Sequence, residues 1–228
     1  MLELSFSDGV KSKYEITKLT SEFLDSENIS NTVKPVLWNS EFNEYPTYEF
    51  EDGFFKSKEM FDLLKSFYEY GFVIIKDLPK ENNFIVKFAN SIGSIRPTNF
   101  GKYFNVKSLP RPNDLAYTSL PLSPHTDNPY RKPVPCIQLL HCIENEVSGG
   151  YSTLVDGFKV ANNLKDNDKN FFEILTKIKV KFKFVDKNVV LENDGQLIEL
   201  DENKNLKQIR FSTRLDYVPI LKKKKLDL

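Results

Sequence analysis

His125-Thr126-Asp127 sets an imidazole and a carboxylate two residues apart. In an extended segment such residues project to the same side of the chain, so both groups aim at a common point. That pair is two thirds of the two-His-one-carboxylate triad that holds non-haem Fe(II) and leaves open coordination positions for a cosubstrate and O₂. The third ligand of such a triad is a second histidine from far along the chain. His141, the other histidine of this sequence, stands only sixteen residues on. It lies in the apolar run Cys136-Ile-Gln-Leu-Leu-His-Cys-Ile143, which reads as a buried strand. The sequence thus announces a chemistry and supplies two of its three ligands.

The elements that would position this pair are short and separated by turns. A hairpin is expected at the start, from the alternating Leu2–Phe6, the turn Ser7-Asp-Gly9 and the return Ser12–Ile16. A helix is expected from Ser57 to Tyr70, with Phe61, Leu64 and Phe67 on one face, stopped by Gly71 and followed by the strand Phe72–Lys76. A second helix covers about Asn82 to Ile92 and ends at Gly93. Beyond the motif, Gly149-Gly-Tyr-Ser-Thr153 joins two strands, with glycines that permit positive φ or close backbone approach. Leu154-Val155, a helical pair through Leu175, and the alternating runs Ile178–Val185, Leu197–Leu200 and Leu206–Phe211 follow. Short strands with helices outside suit an α+β fold built on a double-stranded β-helix, or jelly roll.

With 228 residues, 40% hydrophobic, and Phe 19 with Tyr 10, the chain can bury one substantial, ring-rich core. Lys+Arg 32 balance Asp+Glu 32, so no global field draws nucleic acid or an anionic membrane. The block Lys222–Lys225 reads as a solvated terminus. Cys136 and Cys142 share the buried-looking run, where cysteine acts as a small apolar residue, and no disulfide framework is expected. Without a basic leader or a run of about eighteen apolar residues, a soluble cytoplasmic protein is the expectation.

The longer run from His125 through Gly149-Gly-Tyr-Ser-Thr153 to Phe158 resembles the core of the γ-butyrobetaine dioxygenase family, within the taurine-dioxygenase-like Fe(II)/2-oxoglutarate oxygenases. Leu37-Trp38, Tyr70–Ile75, Ile92–Gly101 and Leu115-Ala-Tyr-Thr118 fall in the family's order upstream, as do Ile198–Asp201 and Ile209-Arg-Phe211 downstream. The resemblance implies Fe(II) held by His125 and Asp127, 2-oxoglutarate touched by Ser152, O₂ as oxidant and ascorbate as reductant. It makes His141 structural, since relatives carry a histidine there without using it as the distal ligand. Zinc held by His125, Asp127 and His141 is a minor alternative. The distal histidine and a cosubstrate arginine would lie beyond Leu228, so the jelly roll is expected to be partial.

The same resemblance aligns Phe100, Phe104 and Tyr117 with three aromatics that cage a trimethylammonium group. A quaternary ammonium donates no hydrogen bond, so ring faces attract it, each by roughly 0.5 to 2 kcal/mol. Ordinary core packing is the plain alternative for these rings. Asp114 replaces the family's Asn beside the cage, and Ser212-Thr213 replaces the Asn-Asn after Ile-Arg-Phe; an ionised Asp114 would repel a substrate carboxylate. Residues 1–40 read as a remnant of the family's N-terminal β module without its zinc ligands, and 41–228 as the oxygenase domain lacking its closing strands. The expected function is hydroxylation of a trimethylammonium small molecule, of the carnitine-biosynthesis kind. The rival is a non-catalytic remnant or pseudoenzyme. Missing strands would expose sheet edges, which a homodimer or a complementing chain could cover.

Overall fold

The computed structural model describes residues 1–21, 34–106, 121–146, 148–186, 188–213 and 216–217. The chain divides into two compact units, 1–78 and 79–228.

In the first unit, strands β1 (Leu2–Ser5) and β2 (Lys11–Tyr14) pair antiparallel with Leu2 opposite Tyr14. The turn between them is closed by Phe6 N donating to Val10 O and by the Asp8 carboxylate accepting from Val10 N. β3 (Thr47–Glu49) and β4 (Ile74–Lys76) run parallel, joined by a crossover that contains helix α1 (Lys58–Tyr70). Ser57 caps α1 by accepting from Met60 N. Gly71 ends it in the left-handed region, φ 78°, where its N–H reaches Phe67 O and a side chain would be strained.

The inward face of α1 differs from the expected one. Met60 and Leu63 are buried, whereas Phe61 and Leu64 are exposed. The cause lies on β3: the Tyr48 hydroxyl donates to Asp62 O at 2.9 Å and meets Ser66 Oγ at 2.7 Å, which turns the 62–63–66 side of the helix to the strand. The Trp38 indole donates to Tyr70 O, and Trp38, Phe42, Tyr45, Tyr70 and Phe72 form a cluster of rings.

The second unit begins with α2 (Phe84–Ile92), which buries Phe84 and Phe88. Its longest sheet pairs β5 (Lys179–Asp186) with β6 (Val189–Gln196) in an antiparallel hairpin, Phe182 opposite Asn193. Alternation along β5 sends Val180, Phe182 and Phe184 inward, while Lys181 and Lys183 face Glu192 across the pair. β6 is the strand that pattern reading leaves out, because Glu192-Asn-Asp-Gly195 carries weak strand formers. Pairing with β5 over its whole length overrides that preference.

β7 (Ile198–Leu200) and β8 (Leu206–Ile209) form a second hairpin. Helices α3 (Gly157–Asn167) and α4 (Lys169–Lys177) pack on it, burying Ala161, Phe172 and Ile198 against Leu164, Leu175, Leu200, Leu206 and Ile209. Asp156 caps α3 by accepting from Phe158 N and Lys159 N. A two-residue strand, β9 (Asp216–Tyr217), pairs with the other edge of β5.

The run Cys136–Ile143 departs from expectation. It belongs to no ladder among the described residues, and Leu140 is 73% exposed. Cys136 and Cys142 are free and exposed rather than buried. Leu154 and Val155 are likewise exposed and unpaired, so Gly149-Gly150 connects two extended segments instead of two strands. An apolar run becomes a buried strand only where a neighbouring strand takes its N–H and C=O groups. The architecture is accordingly a mixed α and β one with small sheets.

Candidate functional site

The two expected ligands meet. His125 Nε2 and Asp127 Oδ1 stand 3.2 Å apart on a segment outside any strand, with a bend at Asp127. On the far side of the ring, His125 Nδ1 lies 2.7 Å from the carbonyl oxygen of Ser123. A carbonyl only accepts, so Nδ1 carries a proton, and in the neutral ring Nε2 then presents its lone pair. That lone pair faces a carboxylate oxygen. Two acceptors so close are reconciled by a cation between them or by a proton on Nε2.

Metal coordination suits the spacing. Two donors each about 2.0 to 2.2 Å from one ion, at right angles, stand roughly 3 Å apart. The donor set, one imidazole and one carboxylate, matches a non-haem Fe(II) site. The fit stops at two ligands: among the described residues no three His, Cys, Asp or Glu side chains are grouped to hold a metal ion, so His141 does not join the pair. Both His141 ring nitrogens are buried without a hydrogen-bond partner.

What holds the pair in place is Thr126, the residue between them, which bonds to Phe211. Its N–H donates to Phe211 O at 2.7 Å, and its hydroxyl accepts from Phe211 N at 3.0 Å. This clamp ties the motif to the segment leaving β8, eighty-five residues on. The same hydroxyl donates to Phe211 O at 3.3 Å, so three hydrogen bonds join the two residues. Asn128 follows at φ 51° and accepts from the Tyr130 hydroxyl. Pro129 is fully buried, and Asn193 on β6 donates to the Pro129 and Arg131 carbonyls at 3.2 and 3.0 Å. The motif is therefore fastened at both ends, to the exit of β8 and to the middle of β6.

Asp127 has a second partner that the sequence reading passed over. Gln138 Nε2 donates to Asp127 Oδ2 at 2.6 Å. Neither Thr126 nor Gln138 belongs to a ligating residue type, and no local sequence pattern marks either one.

The aromatic residues fall into a second group. Phe100 and Phe104 touch at 5.4 Å between ring centroids with 43° between planes, so they form adjoining rather than opposed walls. Phe100 also meets Phe184 edge-on at 5.7 Å, and Phe184 stacks on Tyr130 at 5.0 Å. Phe100 is thus part of the ring packing above β5, while Phe104 is half exposed. Tyr117 and Asp114 lie outside the described residues. Ser152 sits exposed beyond Gly149 (φ 108°) and Gly150 (φ 71°), positive angles that suit glycine and open space around both positions. Ser212, where the family places Asn, is fully buried with its hydroxyl unpartnered.

Behind the clamp, Arg210 is 9% exposed and pairs with Glu199 Oε2 at 2.6 Å, while Lys207 Nζ reaches Oε1 at 3.0 Å. Lys207 chiefly, and Arg210 with it, hold the Glu199 carboxyl below the ordinary carboxylate range against the opposing effect of burial.

A fastened His-x-Asp pair with ring residues upstream belongs to a known class. Residues 40–223 match the family described as "Taurine catabolism dioxygenase TauD, TfdA family", and this chain is a member of it. It is 30% identical over 200 residues to mitochondrial trimethyllysine dioxygenase of Mus musculus, covering 86% of this chain and 46% of that protein. It is 32% identical over 178 residues to γ-butyrobetaine dioxygenase of Homo sapiens, covering 77% and 46% respectively. The bacterial γ-butyrobetaine dioxygenase of Pseudomonas sp. (strain AK-1) is 33% identical over 147 residues. The chain thus spans a little under half the length of the mouse and human relatives.

Proposed function

We propose that this chain forms the iron-binding half of an Fe(II)/2-oxoglutarate-dependent dioxygenase that hydroxylates a trimethylammonium small molecule. The observation that carries the reading is His125 Nε2 facing Asp127 Oδ1 at 3.2 Å, with the ring's Nδ1 turned to the Ser123 carbonyl. Family membership supports it, as do two sets of relatives whose names share a trimethylated or betaine substrate. In this reading His125 and Asp127 hold the iron, Ser152 contacts 2-oxoglutarate, and Phe100, Phe104 and Tyr117 face the cationic head, with Asp114 beside them. Bound iron would supply activation of O₂ coupled to decarboxylation of 2-oxoglutarate, with ascorbate keeping the metal reduced. The protein's own residues orient the donors and hold the substrate, which is where a cofactor enzyme's fold contributes.

Carnitine-biosynthesis-type hydroxylation is the substrate assignment that we propose, with butyrobetaine and trimethyllysine as the two candidates. Domain limits of 1–40 and 41–228, closure of the jelly roll by further strands, and a cytoplasmic location are parts of the same proposal. No helix among the described residues is long and apolar enough to cross a membrane.

The reading of a non-catalytic remnant is favoured by one observation, the two-ligand site. Succinate formation from 2-oxoglutarate with Fe(II), ascorbate and either candidate substrate separates the two readings. Turnover abolished by His125→Ala supports an enzyme. Complete inactivity, with metal and betaine binding retained, supports the remnant. The cage is tested by calorimetric titration of γ-butyrobetaine against γ-aminobutyrate. Loss of one wall in Tyr117→Ala should weaken the methylated ligand by about 0.5 to 2 kcal/mol, or roughly two- to thirtyfold. Equal binding of both amines would assign the three rings to core packing.

A further inference from the structure

A carboxylate has two oxygens and about four lone-pair sites, so an aspartate beside a cation can offer one oxygen, two, or swing between them. At Asp127 the two oxygens have separate neighbours: Oδ1 faces His125 Nε2 at 3.2 Å, and Oδ2 accepts from Gln138 Nε2 at 2.6 Å. The orientation of the Gln138 amide follows from chemistry, since only its NH₂ end can donate to a carboxylate.

We propose that Gln138 is a positioning residue that makes Asp127 a one-oxygen ligand, holding Oδ2 so that Oδ1 alone is presented beside His125. The inference rests on the metal reading above. A neutral donor is the right chemistry for this task. Lysine or arginine in its place would fix the carboxylate equally well but would compete with the bound cation for its charge. An apolar residue would leave the carboxylate free to rotate, and each open rotamer adds an ordering cost to metal binding.

The backbone context supports the assignment. Gln138 lies in the run Cys136–Ile143, which belongs to no ladder among the described residues, and its own side chain is exposed. Its bond to Asp127 crosses eleven residues of sequence and links that run to the motif segment. The motif backbone is held separately, by Thr126 on Phe211 and by Asn193 on Pro129 and Arg131. Loss of Gln138 should therefore free the carboxylate while leaving the backbone where it is.

The test uses the full chain and Co(II) alone, whose visible absorption reports both affinity and coordination. Wild-type chain is compared with Gln138→Leu, with the similarly long Gln138→Met, and with His125→Ala. The expected result is a roughly 10- to 100-fold loss of Co(II) affinity in both Gln138 variants, a changed absorption band, and an unaltered thermal midpoint without metal. Met keeps the length and removes the donor without adding charge, so its failure to rescue excludes a packing role. Wild-type binding that is lost in His125→Ala but unchanged in Gln138→Leu would overturn the positioning role and leave the metal reading intact. No Co(II) binding by the wild-type chain would overturn both. A second measurement needs no metal: the side-chain amide protons of Gln138 should resonate at an unusual shift that collapses in Asp127→Ala, and indifference to that substitution would refute the bond itself.

Discussion

At the scale of single residues, the proposed site is His125 and Asp127 with the threonine between them bonded to Phe211. Thr126→Val keeps the shape and removes the hydroxyl that satisfies Phe211 N. It should destabilise the second unit by about 1 to 2 kcal/mol, read as a shift in the denaturant midpoint, and Thr126→Ser should recover most of the loss. Co(II) affinity should fall with it, because the two ligands ride on the clamped segment. His125, Asp127 and their shared direction were legible in the sequence, since a two-residue period is a property of any extended chain. The clamp was not legible: nothing local ties residue 126 to residue 211, and only folding brings them together.

At the scale of elements, α3 and the β7–β8 hairpin set where the clamp sits, because Phe211 follows directly from β8. Asp156→Ala removes the acceptor for Phe158 N and Lys159 N and should cost about 0.5 to 2 kcal/mol in thermal or chemical unfolding. Glu199 links β7 to Lys207 and Arg210, and its carboxyl is held below the ordinary carboxylate range. Such a group contributes stability that is fully present above its unfolded value of about 4.3 and is lost as pH falls through the lower folded value. Glu199→Gln should therefore be less stable than wild type at neutral pH, by about 1 to 2 kcal/mol. The difference should shrink as the pH is taken below the ordinary carboxylate range; a gap that stayed constant with pH would assign the effect to packing. Most of these elements were readable from periodicity. Their inward faces were less so, as α1 illustrates, where Tyr48 selects Met60 and Leu63 over Phe61 and Leu64.

At the scale of the whole molecule, the second unit is centred on Phe182, fully buried among Tyr130, Val180, Phe184, Leu191 and Leu197. Phe182→Ala should cost about 3 to 5 kcal/mol, and equilibrium unfolding measures it directly. The same cluster contains Tyr130, five residues after His125, so this variant should also lower Co(II) affinity even though it touches neither ligand. Against that core stands a run of exposed apolar side chains, Ile137, Leu140, Tyr151, Leu154 and Val155. The sequence pattern marks all but Tyr151, which falls in a connection, as strand residues, and the structure leaves all five exposed. A homodimer or a complementing chain remains the proposal for what covers them; light scattering across a concentration series would register self-association.

By its sequence alone this chain determined its family, the pair proposed to hold iron and most of its helices, because each is written in residue types and spacings of a few positions. Tertiary structure decided the rest. Whether Cys136–Ile143 becomes a strand depends on a partner strand, since its backbone polar groups must be satisfied by something outside the run. Whether Phe100 is cage wall or core ring depends on Phe184, eighty-four residues away, against which its edge packs. The aim of the Asp127 carboxylate depends on Gln138 and Phe211, through bonds that no local pattern encodes.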